Sequence, residues 1–184
     1  MARSQRTLSA MVATEPASAI VVRVPIPRAT ALLRKRWDWL ASVGVPAHVT
    51  ILFPFLPAGR LVPEERRELA AIAAKHDPFD LRFERVGRFP GVVYLAPEPA
   101  TPFERLTEAV VARYPDLQPY GGAFDVVVPH LTITESGDAP LDEIAARAAV
   151  ALPFEHRVSR LEVLIEGGGG RWRSRWRIAL GVRR

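Results

Sequence analysis

The stretch PAHVTILFPF, residues 46–55, decides the fold of this chain. Its apolar, β-branched run is bounded by prolines, a pattern that predicts a β-strand over residues 47–53. Side chains alternate between the two faces of a strand, so His48 and Thr50 should point one way while Val49 points the other. The question is whether this histidine and threonine, placed together on one face, carry chemistry.

The same motif occurs a second time, as PHLTIT over residues 129–134. After each copy the chain continues with a predicted helix and then a strand that begins with Pro, Phe and an acid, PFDLRFERV at 78–86 and PFEHRVSRL at 153–161. This order indicates an internal duplication over about 46–99 and 128–182. Two similar units pack most simply around a pseudo-twofold axis.

Apolar periodicity and turn residues predict the remaining elements. The predicted strands are 20–24, 47–53, 79–86, 91–96, 126–134, 154–166 and 172–181, and the predicted helices are 28–42, 64–75, 102–113 and 140–150. We therefore predict an α+β fold, bilobal by pseudo-twofold duplication, in which each lobe is a small, mostly antiparallel sheet with helices on the outer face and a central cleft. Residues 18–184 should form this single domain, and residues 1–17 a flexible N-terminal arm.

Composition excludes several classes of protein. The 184 residues are 48% hydrophobic, enough to bury a core in one domain. The absence of cysteine excludes disulfides, thiolate metal sites and cysteine nucleophiles. No apolar run approaches the roughly 20 residues of a membrane span. We expect a cytoplasmic protein that does not bind membranes, and no obligate protein partner is evident.

Positive charge is concentrated at the C-terminal end. The final residues, RWRSRWRIALGVRR at 171–184, contain six arginines and no acid. Arg173 and Arg177 take odd positions along the predicted strand, while Trp172 and Trp176 take even ones. If the tryptophans pack on the lobe, the arginines face the cleft and would bind phosphates. The alternative is a solvated edge strand whose charges discourage aggregation.

The two histidine motifs suit a particular chemistry. In the second copy His130 and Thr132 share a face, and a twofold axis would turn the two His/Thr pairs toward each other. One imidazole can take a proton from an attacking hydroxyl or water while the other protonates the leaving oxygen of a phosphodiester. The threonine hydroxyls would donate to the phosphoryl oxygens. No metal is required, since neither motif brings a third ligand at suitable spacing. The alternative is a structural histidine copied by duplication.

These motifs carry a family resemblance. Two H-x-T-I tetrapeptides, 82 residues apart (130 − 48), together with HVTILFPF, VVYLAPEP and a late Trp/Arg strand, resemble the two-histidine (2H) phosphoesterase superfamily and its 2′-5′ RNA ligase-like branch. The resemblance covers roughly residues 18–182. It implies catalytic histidines at His48 and His130 and phosphate-binding hydroxyls at Thr50 and Thr132.

The activity implied by the resemblance is hydrolysis of 2′,3′-cyclic phosphates or related RNA-terminal phosphodiesters without a cofactor, with reverse 2′-5′ ligation as a minor reaction. The expected ligands are RNA ends or small nucleotides that carry a cyclic phosphate. Tyr94 would either stack on a base in the cleft or pack at the sheet edge. Two other functions stay open: a non-catalytic RNA-binding module, and a phosphodiesterase for a small nucleotide such as a cyclic ADP-ribose phosphate.

Overall fold

A computed structural model describes residues 15–181. Within this range the chain forms eight strands and five α-helices. The strands are β1 (Ser18–Arg23), β2 (His48–Leu52), β3 (Phe79–Phe89), β4 (Val92–Glu98), β5 (Leu131–Glu135), β6 (Phe154–Val158), β7 (Arg160–Glu166) and β8 (Trp172–Ala179). The helices are α1 (Arg28–Trp37), α2 (Trp39–Ser42), α3 (Pro63–Ala73), α4 (Thr101–Arg113) and α5 (Leu141–Ala149).

All eight strands belong to one sheet, in the order β6-β3-β4-β5-β2-β1-β7-β8, and every pairing is antiparallel. The prediction of an α+β fold with an antiparallel sheet is confirmed. We call the four strands on each side of the β5–β2 junction the two halves of the sheet. Only one residue pair, Val49 opposite Leu131, is in register across that junction.

The helices interlock the two halves. Helix α1 follows β1 in one half but contacts β5 in the other, and α4 follows β4 but contacts β2. Two threonine hydroxyls anchor these crossings: Thr107 of α4 donates to the Ile51 carbonyl (3.0 Å), and Thr134 of β5 donates to the Trp37 carbonyl (2.7 Å). Each half is therefore covered by a helix that the other half supplies, which ties the halves together beyond their single residue pair.

The main core lies between the helices and one face of the sheet. Val49, Ile51, Leu131 and Ile133 are at most 2% exposed and belong to it. This confirms that the apolar side of each H-x-T strand packs beneath helices. We call the opposite face of the sheet the open face.

A small apolar cluster lies on the open face over β1 and β7. It contains Ala19, Val21, Val45 and Leu164, with Trp172 packed against them. The chain reaches this cluster through Gly44, which has φ +95° and lies so close to β8 that an added Cβ would stand 2.8 Å from the Trp172 carbonyl oxygen. Both the backbone conformation and the close approach require glycine there. The remainder of the open face, over β2, β5 and β4, carries the histidine motifs.

Two predicted elements have different bounds because side chains intervene. The predicted helix 28–42 is broken at Asp38, whose carboxylate accepts from the Leu40 N–H (3.1 Å) and starts α2 as a new helix. The strand predicted to end at residue 86 is longer, since β3 continues through Gly87 to Phe89. Gly87 fits within the strand because the Tyr94 ring occupies the space that a side chain would need.

Two further predictions require correction. The strand expected at 126–134 begins only at Leu131, and the strand expected at 154–166 is divided at Ser159 into β6 and β7. Residues 1–14 of the predicted arm lie outside the described residues. The carbonyls of Pro16 and Ala17 accept hydrogen bonds from the N–H groups of Ala58 and Glu166 (both 2.9 Å).

Within residues 15–181, the longest helix, α4, has 13 residues, and none combines the length and hydropathy needed to cross a membrane.

The core assignment predicts a contrast between two helical leucines. Leu106 of α4 is fully buried, whereas Leu32 of α1 is 57% exposed. We expect Leu106→Ala to lower the free energy of unfolding by about 2–5 kcal/mol, because it removes apolar contacts and leaves a cavity. Leu32→Ala, with the same change in helix propensity, should cost less than about 0.5 kcal/mol. Equal losses in urea unfolding would contradict the described core.

Candidate active site

The strand register brings the two H-x-T motifs together on the open face. Val49 stands opposite Leu131 in an antiparallel pair. A regular continuation of that register places His48 opposite Thr132 and Thr50 opposite His130. The two histidines then lie on a diagonal of the ladder, with about 7–8 Å between their Cα atoms. Because the valine and leucine between them point into the main core, all four polar side chains point to the open face.

Both imidazoles are held by the same local contact. The His48 Nδ1 lies 2.8 Å from the carbonyl oxygen of Pro46, and the His130 Nδ1 lies 2.7 Å from the carbonyl oxygen of Val128. A carbonyl only accepts hydrogen bonds, so Nδ1 must carry the proton in each ring. The Nε2 atoms are therefore the nitrogens left to exchange protons with a ligand.

The surroundings of both rings favour the neutral imidazole. Burial, together with repulsion from Arg34 and His130, lowers the pKa of His48 to about 4, against the opposing effect of the Pro46 carbonyl. Burial also lowers the pKa of His130, again opposed by its carbonyl partner. A proton on His130 would also disfavour a proton on His48, as expected for rings that face each other on neighbouring strands. At neutral pH both histidines are bases in the free protein.

Tyr120 lies in the loop between α4 and β5, and its side chain contacts Thr50 of the first motif. Its hydroxyl forms a hydrogen bond with Thr50, and its N–H donates to the Phe53 carbonyl (2.5 Å). Burial raises the pKa of Tyr120, so the phenol stays protonated at neutral pH. The residue has φ 54°, a conformation that non-glycine residues rarely adopt, and strain of this kind is concentrated at functional sites. Tyr120 was not identified from the sequence, where its only signal is its place in the Pro- and Gly-rich stretch PYGG.

Two aromatic rings form a wall beside His130. Phe89 and Tyr94 stack with their centroids 4.4 Å apart, and each meets the His130 ring edge-on, at 5.3 and 5.5 Å. Tyr94 lies opposite Thr132 in the register, on the same face as the threonine. The half-buried ring of Tyr94 therefore lies at the candidate site, beside His130. Phe89 was not identified from the sequence.

The predicted arginine face is interrupted by a β-bulge. The register between β7 and β8 shifts between Val163 and Leu164. Arg177 lies opposite Glu162, on the open face, but Arg173 lies opposite Ile165, whose side chain belongs to the main core. The prediction that both arginines line the cleft is therefore wrong for Arg173. The bulge inserts one residue and so reverses the alternation along β8.

The tryptophans of β8 are separated by the same bulge. Trp172 packs with the small cluster on the open face, and Trp176 packs against the main core on the other face. The predicted single tryptophan face does not exist.

Arg177 is paired with a buried acid that the sequence analysis missed. Its Nε lies 3.2 Å from Oε1 of Glu162, a residue only 4% exposed. The other carboxylate oxygen, Oε2, is buried without a hydrogen-bond partner among the described residues. Strand β8 lies three strands from β2, about 14 Å along the sheet. Arg177 is therefore too distant to contact a phosphorus atom placed between the histidines.

The described residues do not assemble a metal site at the histidines or elsewhere: within 15–181, no three His, Asp or Glu side chains lie close enough to hold one ion. What the site offers is two anchored imidazoles, two threonines, a tyrosine hydroxyl and an aromatic wall. This combination can exchange two protons and bind an anion between them.

Solved structures with the same fold include two bacterial proteins. The crystal structure of TT0787 from Thermus thermophilus matches with a TM-score of 0.55 at 19% identity and covers 91% of this chain and all of that one. E. coli LigT, crystallised with NADP+, matches with a TM-score of 0.54 at 17% identity and covers 92% of this chain and all of its own. At these identities the likeness establishes the fold.

Sequence comparison finds bacterial relatives that match about three quarters of this chain. A candidate phosphoesterase of Geobacillus kaustophilus (strain HTA426) is 28% identical over 149 residues, which is 76% of this chain and 80% of that protein. A second, from Geobacillus sp. (strain WCH70), is 30% identical over 145 residues, with coverages of 76% and 80%.

A sequence model described as the 2′-5′ RNA ligase superfamily matches residues 25–170, a span that includes both H-x-T motifs. The family resemblance drawn from the sequence is confirmed. This chain belongs to the 2′-5′ RNA ligase superfamily, the two-histidine phosphoesterases.

Proposed function

We propose that the protein is a metal-independent phosphodiesterase that hydrolyses 2′,3′-cyclic phosphate or 2′-5′ phosphodiester ends of RNA or nucleotides. The observation that supports this most directly is the pair of imidazoles on the open face. Both present Nε2, both are anchored through Nδ1, and a proton on one ring disfavours a proton on the other. A phosphorus atom bound between them would have a proton acceptor on one side and a proton donor on the other.

The two histidines take different roles in this proposal. Arg34 and His130 both disfavour the His48 imidazolium, so His48 is the base that takes a proton from the attacking water. His130 becomes the acid, because a bound phosphate anion raises the pKa of a nearby imidazole. Repulsion between the rings limits the pair to one proton, which is the state that acid–base catalysis requires. The proton then moves from His130 Nε2 to the leaving ribose oxygen as the P–O bond breaks.

The hydroxyl groups bind the phosphoryl oxygens. In the free protein the Thr50 hydroxyl donates to the Tyr120 oxygen. We expect a bound phosphate to take the proton of Thr50, with the neutral phenol of Tyr120 then donating to Thr50. Thr132, opposite Tyr94 in the register, would donate from the other strand. These hydrogen bonds strengthen as negative charge develops in the transition state. We further expect the ring of Tyr94 to stack on the base of the same nucleotide.

The first prediction concerns the histidines. We expect His48→Ala and His130→Ala each to lower kcat on a 2′,3′-cyclic nucleotide by at least about 100-fold, because each removes one proton transfer. His76→Ala, three residues after the end of α3, is the matched control and should retain activity. The assays should contain EDTA, and the position of the phosphate in the product should be identified.

The assignment of roles has its own test. A p-nitrophenyl phosphodiester has a leaving group that needs no proton, so it should restore much of the loss in His130→Ala but not in His48→Ala. Equal rescue of both variants would refute the assignment. Salt-sensitive RNA binding without turnover of any cyclic phosphate would instead favour the non-catalytic alternative.

The second prediction concerns pH. The folded His48 has its pKa lowered to about 4, while an unfolded histidine titrates near 6.5. Between these values the unfolded chain binds more protons, so the stability contributed by neutral His48 is present above pH 6.5 and lost as pH falls toward 4. NMR titration should show the His48 midpoint near 4, and adding a nucleoside 2′-phosphate should raise it. A midpoint near 6.5 in the free protein would contradict the described environment.

The third prediction concerns Tyr120 as a positioning residue. Thr50→Val should lower kcat by about 10- to 100-fold, as expected for the loss of a hydrogen bond to a charged group. Tyr120→Phe should lower it by a smaller factor. If the tyrosine acts through the threonine, adding Tyr120→Phe to Thr50→Val should cause no further loss. Tyr114→Phe, which removes a hydroxyl bonded to Glu65 instead, is the control. If the decrease in kcat of the double variant equals the product of the two single decreases, the two residues act separately.

A further inference from the structure

A cavity of about 680 Å³ opens beside His48. Its walls come from three parts of the chain: the end of β1 and the residues after it, the middle of α1, and residues 41–47. A volume of this size is within the range of pockets that hold a nucleotide-sized ligand. None of the lining residues belongs to the two H-x-T motifs, and the cavity was not identified from the sequence.

The lining of this cavity is strongly cationic. Arg23, Arg34 and Lys35 contribute to it, and no acidic side chain does. Arg34 is buried and paired with Asp38 through a contact of 2.5 Å. Arg23 and Lys35 are exposed and form no ion pair within residues 15–181. The cavity therefore presents two positive charges that nothing in this part of the chain neutralises, and an anion is the ligand that they favour.

Apolar groups complete the walls. Val24, Ile26, Ala31 and Ala47 also line the cavity. A mixed lining of this kind binds a ligand that carries both an anionic group and a less polar body, as a nucleoside phosphate does. A small inorganic anion would leave this apolar surface unused.

Three contacts join the cavity to the candidate active site. Arg23 lies opposite His48 in the β1–β2 register, so the two side chains share a face. The carbonyl that holds His48 Nδ1 belongs to Pro46, a wall residue. The charge of Arg34, another wall residue, acts on His48. Consider a ligand whose reacting phosphate lies between the two histidines. The part of that ligand next to the phosphate on the His48 side would lie in the cavity.

We propose that this cavity is a subsite for a second phosphate of the substrate, bound by Arg23 and Lys35, with the attached nucleoside against the apolar wall. The proposal rests on the phosphodiesterase function proposed above and narrows its substrate class. The preferred substrates are nucleotides with a phosphate in addition to the reacting one, either a backbone phosphate of RNA or a pyrophosphate. A cyclic mononucleotide would leave the subsite empty.

The kinetic test compares three substrates: a 2′,3′-cyclic mononucleoside phosphate, a dinucleotide ending in that group, and the cyclic mononucleotide carrying a 5′-diphosphate. We expect kcat/KM to rise by about tenfold or more when the second phosphate is present, as for one charge-assisted contact. The last two substrates distinguish a backbone phosphate from a pyrophosphate. We call kcat/KM for the doubly phosphorylated substrate divided by kcat/KM for the mononucleotide the substrate ratio. Lys35→Gln and Arg23→Gln should each lower this ratio.

Lys75 provides a matched control, since Lys35 and Lys75 are the only lysines in the chain. Lys75→Gln, near the end of α3, should leave kcat/KM and the substrate ratio unchanged. If the wild-type protein hydrolyses the mononucleotide equally well and the ratio is near one in every variant, the subsite is refuted while the phosphodiesterase function stands.

An equilibrium test is independent of turnover. Acetylation of the native protein by acetic anhydride, followed by mass spectrometry, reports on both lysines in one sample. Inorganic pyrophosphate should slow modification of Lys35 severalfold and leave Lys75 unaffected. Protection of Lys35 in a protein that hydrolyses none of the three substrates would support the subsite and overturn the enzymatic function. Equal modification of both lysines with and without pyrophosphate would refute the subsite.

Discussion

A single backbone register, Val49 opposite Leu131, is the constraint on which the candidate site depends. Because the side-chain period of a strand is two, a slip of one residue would turn His48 and Thr50 into the core and expose apolar side chains instead. A single residue pair is too short a ladder to fix this register by its own hydrogen bonds. The register is supported from outside the ladder by α1 and α4, each of which crosses to the opposite half of the sheet and is anchored there by a threonine hydroxyl. Burial of the apolar face and these crossings together hold the motifs side by side.

Once the motifs are together, the chemistry is governed by competition between burial and charge. Burial disfavours the imidazolium form of His48 and His130, while their carbonyl partners favour it. The free protein therefore holds two neutral rings close enough to repel if both were protonated. Only a ligand that brings negative charge makes protonation of one ring favourable. In the mechanism proposed above, a bound anion completes the acid–base pair, and the cationic lining beyond His48 attracts that anion.

Some residues of the candidate site could be predicted from the sequence and others could not, and the physical reason differs from residue to residue. The two histidines and their threonines carry a repeated motif on strands, where alternation alone assigns their face. Tyr120 has no such motif, since its contact with Thr50 depends on where a Pro- and Gly-rich connection passes over β2. Arg173 was misplaced because a bulge in β8 reverses an alternation that looked regular. Bulges depend on how one strand fits its partner, and periodicity in a single strand cannot reveal them.

The sequence by itself determined the fold class, the approximate elements and the face of each H-x-T strand that carries polar groups. These are consequences of short-range rules: apolar residues at strand or helix spacing become buried, and neighbours on a strand alternate. The tertiary structure alone decided which of those polar groups meet, that an aromatic wall stands beside His130, and that a basic cavity opens beside His48. The physical reason is that these contacts join segments far apart in the chain, whose registers and crossings are set by packing against one another.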